Sequence, residues 1–301
     1  MISLHQVQKR FGARVAVDNL TLAVPRGEIF GLLGHNGAGK STAIGMMLGQ
    51  VWPTRGEVKI CGHDVTTQRG RALQKVGAIF ETPAFYDYLS GRRNLEILSH
   101  YTAPTPPERI REVMDWVGLT GRERSAVKTY SHGMRARLAI AQSLLPQPEL
   151  LIFDEPGSGL DPEGTAEMRQ TIARLHRELG LTILLSSHLL GEVEQLCSRI
   201  AVLKEGRKVF EGRIADIKAE RGRLMLRTPD FAAATALLRE RGIITGATDG
   251  QVIALSEGRT TAEVVKVLVG ANIPVEGIWQ WEQTLEDFYL GLVKAPPPGP
   301  H

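Results

Sequence analysis

No apolar run in the sequence reaches the ~18–20 residues that a membrane-crossing helix needs. The longest candidates, Ile29–Leu33, Leu150–Phe153 and Ile183–Leu185, have the length of strands, so a chain without a membrane span is expected. Cysteine is also scarce. Cys61 and Cys197 have neither CxxC spacing nor a His/Cys cluster beside them, which excludes a disulfide scaffold and a zinc site and leaves buried or incidental thiols of a reducing cytosol. An excess of one charge is missing as well. Lys and Arg number 36 against 33 Asp and Glu, for a formal net charge of +3. That is too little for the concentrated basic face that phosphate-backbone binding requires, and no nucleic-acid partner is expected. Met1–Lys9 lacks a basic flank followed by an apolar stretch, so a signal peptide is not expected either. What remains, 43% hydrophobic and 23% charged over 301 residues, excludes disorder for most of the chain and fits two domains, each with its own core.

Glycine is plentiful: 32 residues, clustered where short apolar runs end, which is how strands that feed turns and helices are punctuated. Glu28–Leu33, Leu150–Asp154 and Thr182–Ser186 read as strands covered on both faces of a largely parallel sheet. Helical stripes lie between them: Ile110, Val113, Met114 and Val117, then Met168, Ile172, Leu175 and Leu179. The rhythm changes around Val209–Gly222. Beyond it, Arg223–Arg227, Gln251–Leu255 and Pro274–Trp279 read as strands, and Phe231–Arg239, Thr261–Val269 and Thr284–Val293 as helices. The expectation is an α/β domain over 1–212, an α+β domain over 222–294 and a disordered Pro-rich tail over 295–301.

Gly34, His35, Asn36, Gly37, Ala38, Gly39, Lys40 and Ser41, followed by Thr42, match GxxxxGK[ST] between the strand IFGLL and a helix. Residues without Cβ let the backbone wrap phosphates and aim its N–H groups inward, and the helix behind adds the positive end of its dipole. Lys40 is placed to reach the β- and γ-phosphates and the Ser41 hydroxyl to hold Mg²⁺. The motif alone leaves kinases, GTPases and ATPases open. Downstream, Leu150–Phe153 ends in Asp154 and Glu155. Asp154 then emerges at the strand edge beside the phosphates as a metal ligand, with Glu155 facing an attacking water.

With further motifs in matching order, the chain resembles the ATP-binding subunits of ABC transporters. Tyr130–Met134 (YSHGM) resembles the signature, with Ser131 capping the helix that follows and Gly133 retained; Ser158–Asp161 resembles the D-loop; His188 after TILLSS resembles the switch histidine. Phe11 in KRFG resembles the aromatic that stacks on adenine. The resemblance covers about Met1 to Gly212, with a helical subdomain near 85–145, and implies a P-loop ABC-type ATPase fold. The segment Thr284–Phe288 (TLEDF) resembles the closing helix of the C-terminal extension in drug exporters.

The sequence departs from the family at two places. Glu81, in AIFETPAFY, stands where most members carry a glutamine that contacts Mg²⁺; a carboxylate there still suits a hard cation but adds negative charge near Glu155. The segment resembles the bacitracin- and lantibiotic-exporter branch, which implies antibiotic resistance. His132 and Met134 replace the commoner Gly and Gln of the signature, and His132 reads as an exposed side chain at the dimer rim. The resemblance further implies two ATP molecules held between two such domains, homodimer or heterodimer, with Glu155 as base and His188 and the metal stabilising charge. It implies separate transmembrane permease subunits and a peripheral place on the inner face of the cell membrane. Phe85, Tyr86 and Tyr88 form a candidate docking patch. The rival readings are a soluble ATPase of the same superfamily acting on ribosomes or DNA, and an ATP-dependent regulatory subunit.

Overall fold

The computed structural model describes residues 1–80, 83–101, 105–218, 223–248, 251–281 and 284–294. Glu81 and the tail 295–301 lie outside them. By contacts the chain divides into two units: Met1–Ile214 together with the terminal segment from Tyr289, and Ala215–Phe288. Tyr289 onward groups with the first unit, whereas the sequence reading assigns all of 222–294 to the second. One contact responsible is Lys204, whose Nζ donates to the Val293 carbonyl at 2.7 Å.

The first unit opens with two strands, Ile2–Phe11 and Arg14–Val24, whose alternation buries Ile2, Leu4 and Val7 on one and Val17, Leu20, Leu22 and Val24 on the other. They join Arg55–Ile60 and His63–Asp64 in an antiparallel sheet. The sequence reading does not anticipate this sheet, since its strands are only half-buried and the pairing of Ile2–Phe11 with Arg55–Ile60 joins distant segments.

The second sheet has six strands in the order Arg207–Arg213, Arg199–Lys204, Ile29–Leu33, Thr182–Ser187, Leu150–Asp154, Val76–Ile79. All neighbours run parallel except the outermost pair Arg207–Arg213 and Arg199–Lys204. The three central strands are buried along their whole length. That burial is why they read as unbroken apolar runs. Leu33 pairs with Ser187 and Asp154 with Ser186, so the loops after all three strands emerge side by side at one sheet edge. A single core gathers Ile2 and Leu22 of the first sheet, Phe30, Ile152 and Leu184 of the second, and Ile44 and Met47 of the helix Lys40–Met47.

Helices Gly91–Ser99, Pro107–Trp116 and His132–Leu144 pack on one another. The expected stripe Ile110, Val113, Met114 and Val117 is buried. In Pro162–Leu179 the stripe Met168, Ile172 and Leu175 is buried, but Leu179 is 40% exposed. It occupies the last turn, which ends on Gly180 in the left-handed conformation. His132–Leu144 lies against the edge strand through Gly77: a Cβ there would fall 2.0 Å from the Ser143 carbonyl oxygen. Gly77→Ala is therefore expected to destabilise the unit by about 3 kcal/mol through forced separation of helix and strand. Denaturant unfolding checks this; an unchanged midpoint would mean that the helix shifts without cost.

The second unit is an antiparallel sheet ordered Ile244–Thr248, Val252–Leu255, Arg223–Arg227, Gly277–Gln280, with helices Phe231–Glu240 and Thr261–Gly270. Leu226, Leu238, Ile253, Val264 and Leu268 fill its core. Thr260 and Glu263 form a reciprocal capping box. Two details differ from the sequence reading. Ile244–Thr248 (ITGAT) is an additional strand, too poor in apolar residues to announce itself. The last strand begins at Gly277 rather than at Pro274, a residue with no N–H to donate to a ladder. Among the described residues no helix is long and apolar enough to cross a membrane. Cys197 is buried and its thiol pushed up by that burial; Cys61 is half-buried.

Candidate nucleotide site

The loop after Ile29–Leu33 turns through Gly37 and Gly39, with φ of 84° and 105°. At Gly39 a Cβ would lie 2.6 Å from the Ala16 carbonyl oxygen, so both the backbone angle and the close approach require glycine. The loop is tied to the next hairpin by Gly206 N–H donating to the Ala38 carbonyl at 3.0 Å. Helix Lys40–Met47 starts without a side-chain cap, and its first turn closes with Ala43 N–H on the Gly39 carbonyl. The amides of Lys40, Ser41 and Thr42 have no intrahelical acceptor and suit an anion.

Lys40 is 5% exposed. Its Nζ donates to the Gly34 carbonyl at 2.7 Å and lies 3.1 Å from Glu155 Oε1. The other Glu155 oxygen is 2.6 Å from His188 Nδ1. Burial pushes the Glu155 carboxyl upward, but the hydrogen bonds from His188 and then Lys40 outweigh it and hold the group below its ordinary range. Glu155 thus stays an ionised acceptor despite partial burial. It sits at φ 51°, which turns the chain sharply at the end of its strand. Asp154, 2% exposed, accepts from Ser186 Oγ at 2.5 Å through Oδ1, while its buried Oδ2 has no partner.

Lys40, Glu155 and His188 border a concavity of about 370 Å³ that also includes His35, Asn36, Gly37, Gly39, Ser41 and Thr42, whereas Asp154 lines an adjoining concavity that shares Glu155 with it. Gly34 and Ala38 are buried behind the first. Arg14, Ala16 and Ser158 also line the first. Ser158 opens the segment that resembles the D-loop, whereas sequence reasoning missed Arg14 and Ala16, which arrive on the antiparallel hairpin of Ile2–Phe11 and Arg14–Val24. Phe11 ends its strand 51% exposed, with Lys9 Nζ 4.8 Å from its ring centre, and does not line this concavity.

Ser131, Gly133 and Asp161 lie together in a third concavity of about 540 Å³ that shares no residue with the first. Ser131 Oγ accepts from Met134 N–H at 3.2 Å and Asp161 Oδ1 from Gly164 N–H at 3.0 Å, so each caps a helix beginning there. His132 is exposed. Glu81 belongs to the residues not described.

An uncapped helix terminus, a buried lysine, an ionised glutamate and a carboxylate oxygen left without a partner, all at one edge of a parallel sheet, define a P-loop nucleoside-triphosphatase. Comparison with known proteins specifies the branch. Residues 17–158 match the model of the ABC transporter family. The chain is 36% identical to the bacitracin transport ATP-binding protein BcrA of Enterococcus faecalis over 97% of this chain and 96% of the relative. It is 34% identical to the daunorubicin resistance ATP-binding protein DrrA3 of Streptomyces coeruleorubidus, over 97% and 95%. Among solved structures, cbiO1 of Clostridium perfringens, part of the ABC transporter complex cbiONQ, superposes with a TM-score of 0.67 at 25% identity, covering 73% of this chain and 91% of that one. The protein belongs to the ATP-binding subunits of ABC transporters and is an ATPase.

Proposed function

We propose that the chain powers export of an antibiotic or similar amphipathic compound through separate transmembrane subunits, working as a pair of ATPase domains at the inner face of the cell membrane. The observation that carries the paired arrangement is that the phosphate loop and the Ser131 helix terminus open on different concavities. Lys40 and Glu155 border one concavity, Ser131 and Gly133 another, and a helix terminus capped by Ser131 on one chain suits the γ-phosphate held by Lys40 on the other. The exporter reading is supported by the likeness to proteins of bacitracin transport and daunorubicin resistance over nearly the full chain.

The free Asp154 oxygen and the Ser41 hydroxyl fit Mg²⁺, with Glu81 proposed as a further ligand. No group of three or more His, Cys, Asp or Glu among the described residues is placed to hold an ion, which agrees with a cation bound partly by substrate phosphates. When bound, the cation would neutralise phosphate charge. Lys40 exchanges Glu155 for phosphate oxygens as ATP enters, which frees the carboxylate to orient water and accept its proton. His188, whose Nδ1 donates to Glu155, keeps the base aimed. Phe11 stacks on the base from its exposed position, Asp161 places the D-loop at the partner's site, and 222–294 serves as an accessory domain.

Tyr86 and Tyr88 are 45% and 73% exposed, with ring centres 6.2 Å apart, beside half-buried Phe85. Two neighbouring exposed aromatics suit a permease helix. Changing both tyrosines to Ala is expected to abolish co-purification with the multi-span membrane partner from the native membrane while circular dichroism stays that of the parent. Full retention of the partner would remove this patch from the interface, and co-purification of ribosomes or DNA in place of a membrane protein would favour the soluble-ATPase alternative.

A further inference from the structure

The strand Thr182–Ser187 places a hydroxyl where its pattern calls for an apolar side chain. Ser186 is 0% exposed, in the centre of the six-stranded sheet, opposite Asp154 in the parallel register. A buried hydroxyl is unfavourable unless both its proton and its lone pairs are used. Here they are. Ser186 Oγ donates to Asp154 Oδ1 at 2.5 Å and accepts from the backbone N–H of Glu155 at 2.9 Å.

Each bond has a consequence for the site. Occupying Oδ1 fixes the rotation of the Asp154 carboxylate and leaves Oδ2, buried and unpartnered, as the single oxygen free to take a cation. Holding the Glu155 amide anchors that residue in a left-handed conformation unfavourable for a side-chain-bearing residue. From that turn the Glu155 carboxylate reaches Lys40 at 3.1 Å and His188 at 2.6 Å. One side chain therefore sets the direction of two neighbouring carboxylates that must do different work. A valine at this position would satisfy the burial and supply neither bond.

We propose that Ser186 is a positioning residue that selects which Asp154 oxygen meets the metal and locks the backbone that aims Glu155. The inference rests on the reading of Asp154 as a metal ligand and Glu155 as base. The test compares full-length parent, Ser186→Ala, Ser186→Cys (close in size, a weak donor) and Ser186→Thr (hydroxyl kept), with Asp154→Ala as the control. Mn²⁺ affinity is measured by electron paramagnetic resonance in the presence of ATP, affinity for a fluorescent ATP analogue in EDTA, and kcat with Mg²⁺ separately. Ser186→Ala and Ser186→Cys should lower Mn²⁺ affinity and kcat by about 10–100-fold, the range for partners that orient metal ligands. Metal-free nucleotide affinity should stay within about twofold, since no metal-dependent contact is involved. Ser186→Thr should recover most of both losses. Parent-like Mn²⁺ affinity in the Ala and Cys variants, or equal losses with and without metal, would overturn the proposal. If Asp154→Ala itself leaves Mn²⁺ affinity intact, the underlying metal-site reading fails instead.

Discussion

Replacing Glu155 with Gln is expected to lower steady-state ATP hydrolysis by about 10²–10³-fold, the usual contribution of a positioned general base. The substitution keeps the size and the planar group, so contact with Lys40 and His188 is only weakened. It removes the negative charge and the capacity to take a proton. In the parent that capacity is protected: burial alone would favour the neutral acid, but His188 and Lys40 hold the carboxyl below its ordinary range. Nothing in the amide replaces this. Because the phosphate loop and the Ser131 helix are untouched, ATP binding should persist and nucleotide-bound pairs should accumulate. Phosphate release and size-exclusion chromatography with ATP measure the two effects. A turnover rate near that of the parent would remove Glu155 from its role.

Lys40→Ala should produce the second large effect, a loss of ATP affinity of roughly 10²-fold, read by titration with a fluorescent ATP analogue. Hydrogen bonds to charged groups contribute about 1.5–3 kcal/mol each, and the ammonium is placed where it can reach more than one phosphate oxygen. Its burial makes the loss specific. At 5% exposure Lys40 is held by the Gly34 carbonyl at 2.7 Å and by Glu155 at 3.1 Å, and it cannot be replaced by another side chain swinging in from solvent. The substitution also strips Glu155 of one of the two partners that oppose its desolvation, so the Glu155 carboxyl should move upward. The acid limb of kcat/KM, which reports the free enzyme in which Lys40 faces Glu155, should accordingly move to higher pH in the variant. Parent-like affinity would show that the loop amides of Lys40, Ser41 and Thr42 suffice to hold phosphate.

Much of the first unit was legible because its information is local. The strand before the phosphate loop, the glycines within it and Lys40 occupy one short segment, and Gly39 is demanded by a backbone angle and a carbonyl contact that any sequence with that turn would meet. The runs Leu150–Asp154 and Thr182–Ser187 announce themselves because strands buried on both faces must be apolar throughout. Ile2–Phe11 and Arg14–Val24 are hard to read because half-buried strands alternate and because Ile2–Phe11 takes its second partner, Arg55–Ile60, from a distant part of the sequence. Arg14 and Ala16 stayed hidden for the same reason: they reach the concavity through a sheet that no short motif encodes.

By itself the sequence determined the chemical inventory of this ATPase: a loop that cradles phosphate, a carboxylate pair after a buried strand, a serine-capped helix and a histidine ending a third strand. Only the tertiary structure decided which of them touch. The parallel register of Ile29–Leu33, Thr182–Ser187 and Leu150–Asp154 brings Lys40, Glu155 and His188 into one hydrogen-bonded chain and turns Ser186 from an ordinary strand residue into the partner of the Asp154 carboxylate and the Glu155 backbone amide. Sequence spacing sets which residues share a face, but contacts across a sheet depend on how distant strands align, and that alignment is fixed by packing the whole core.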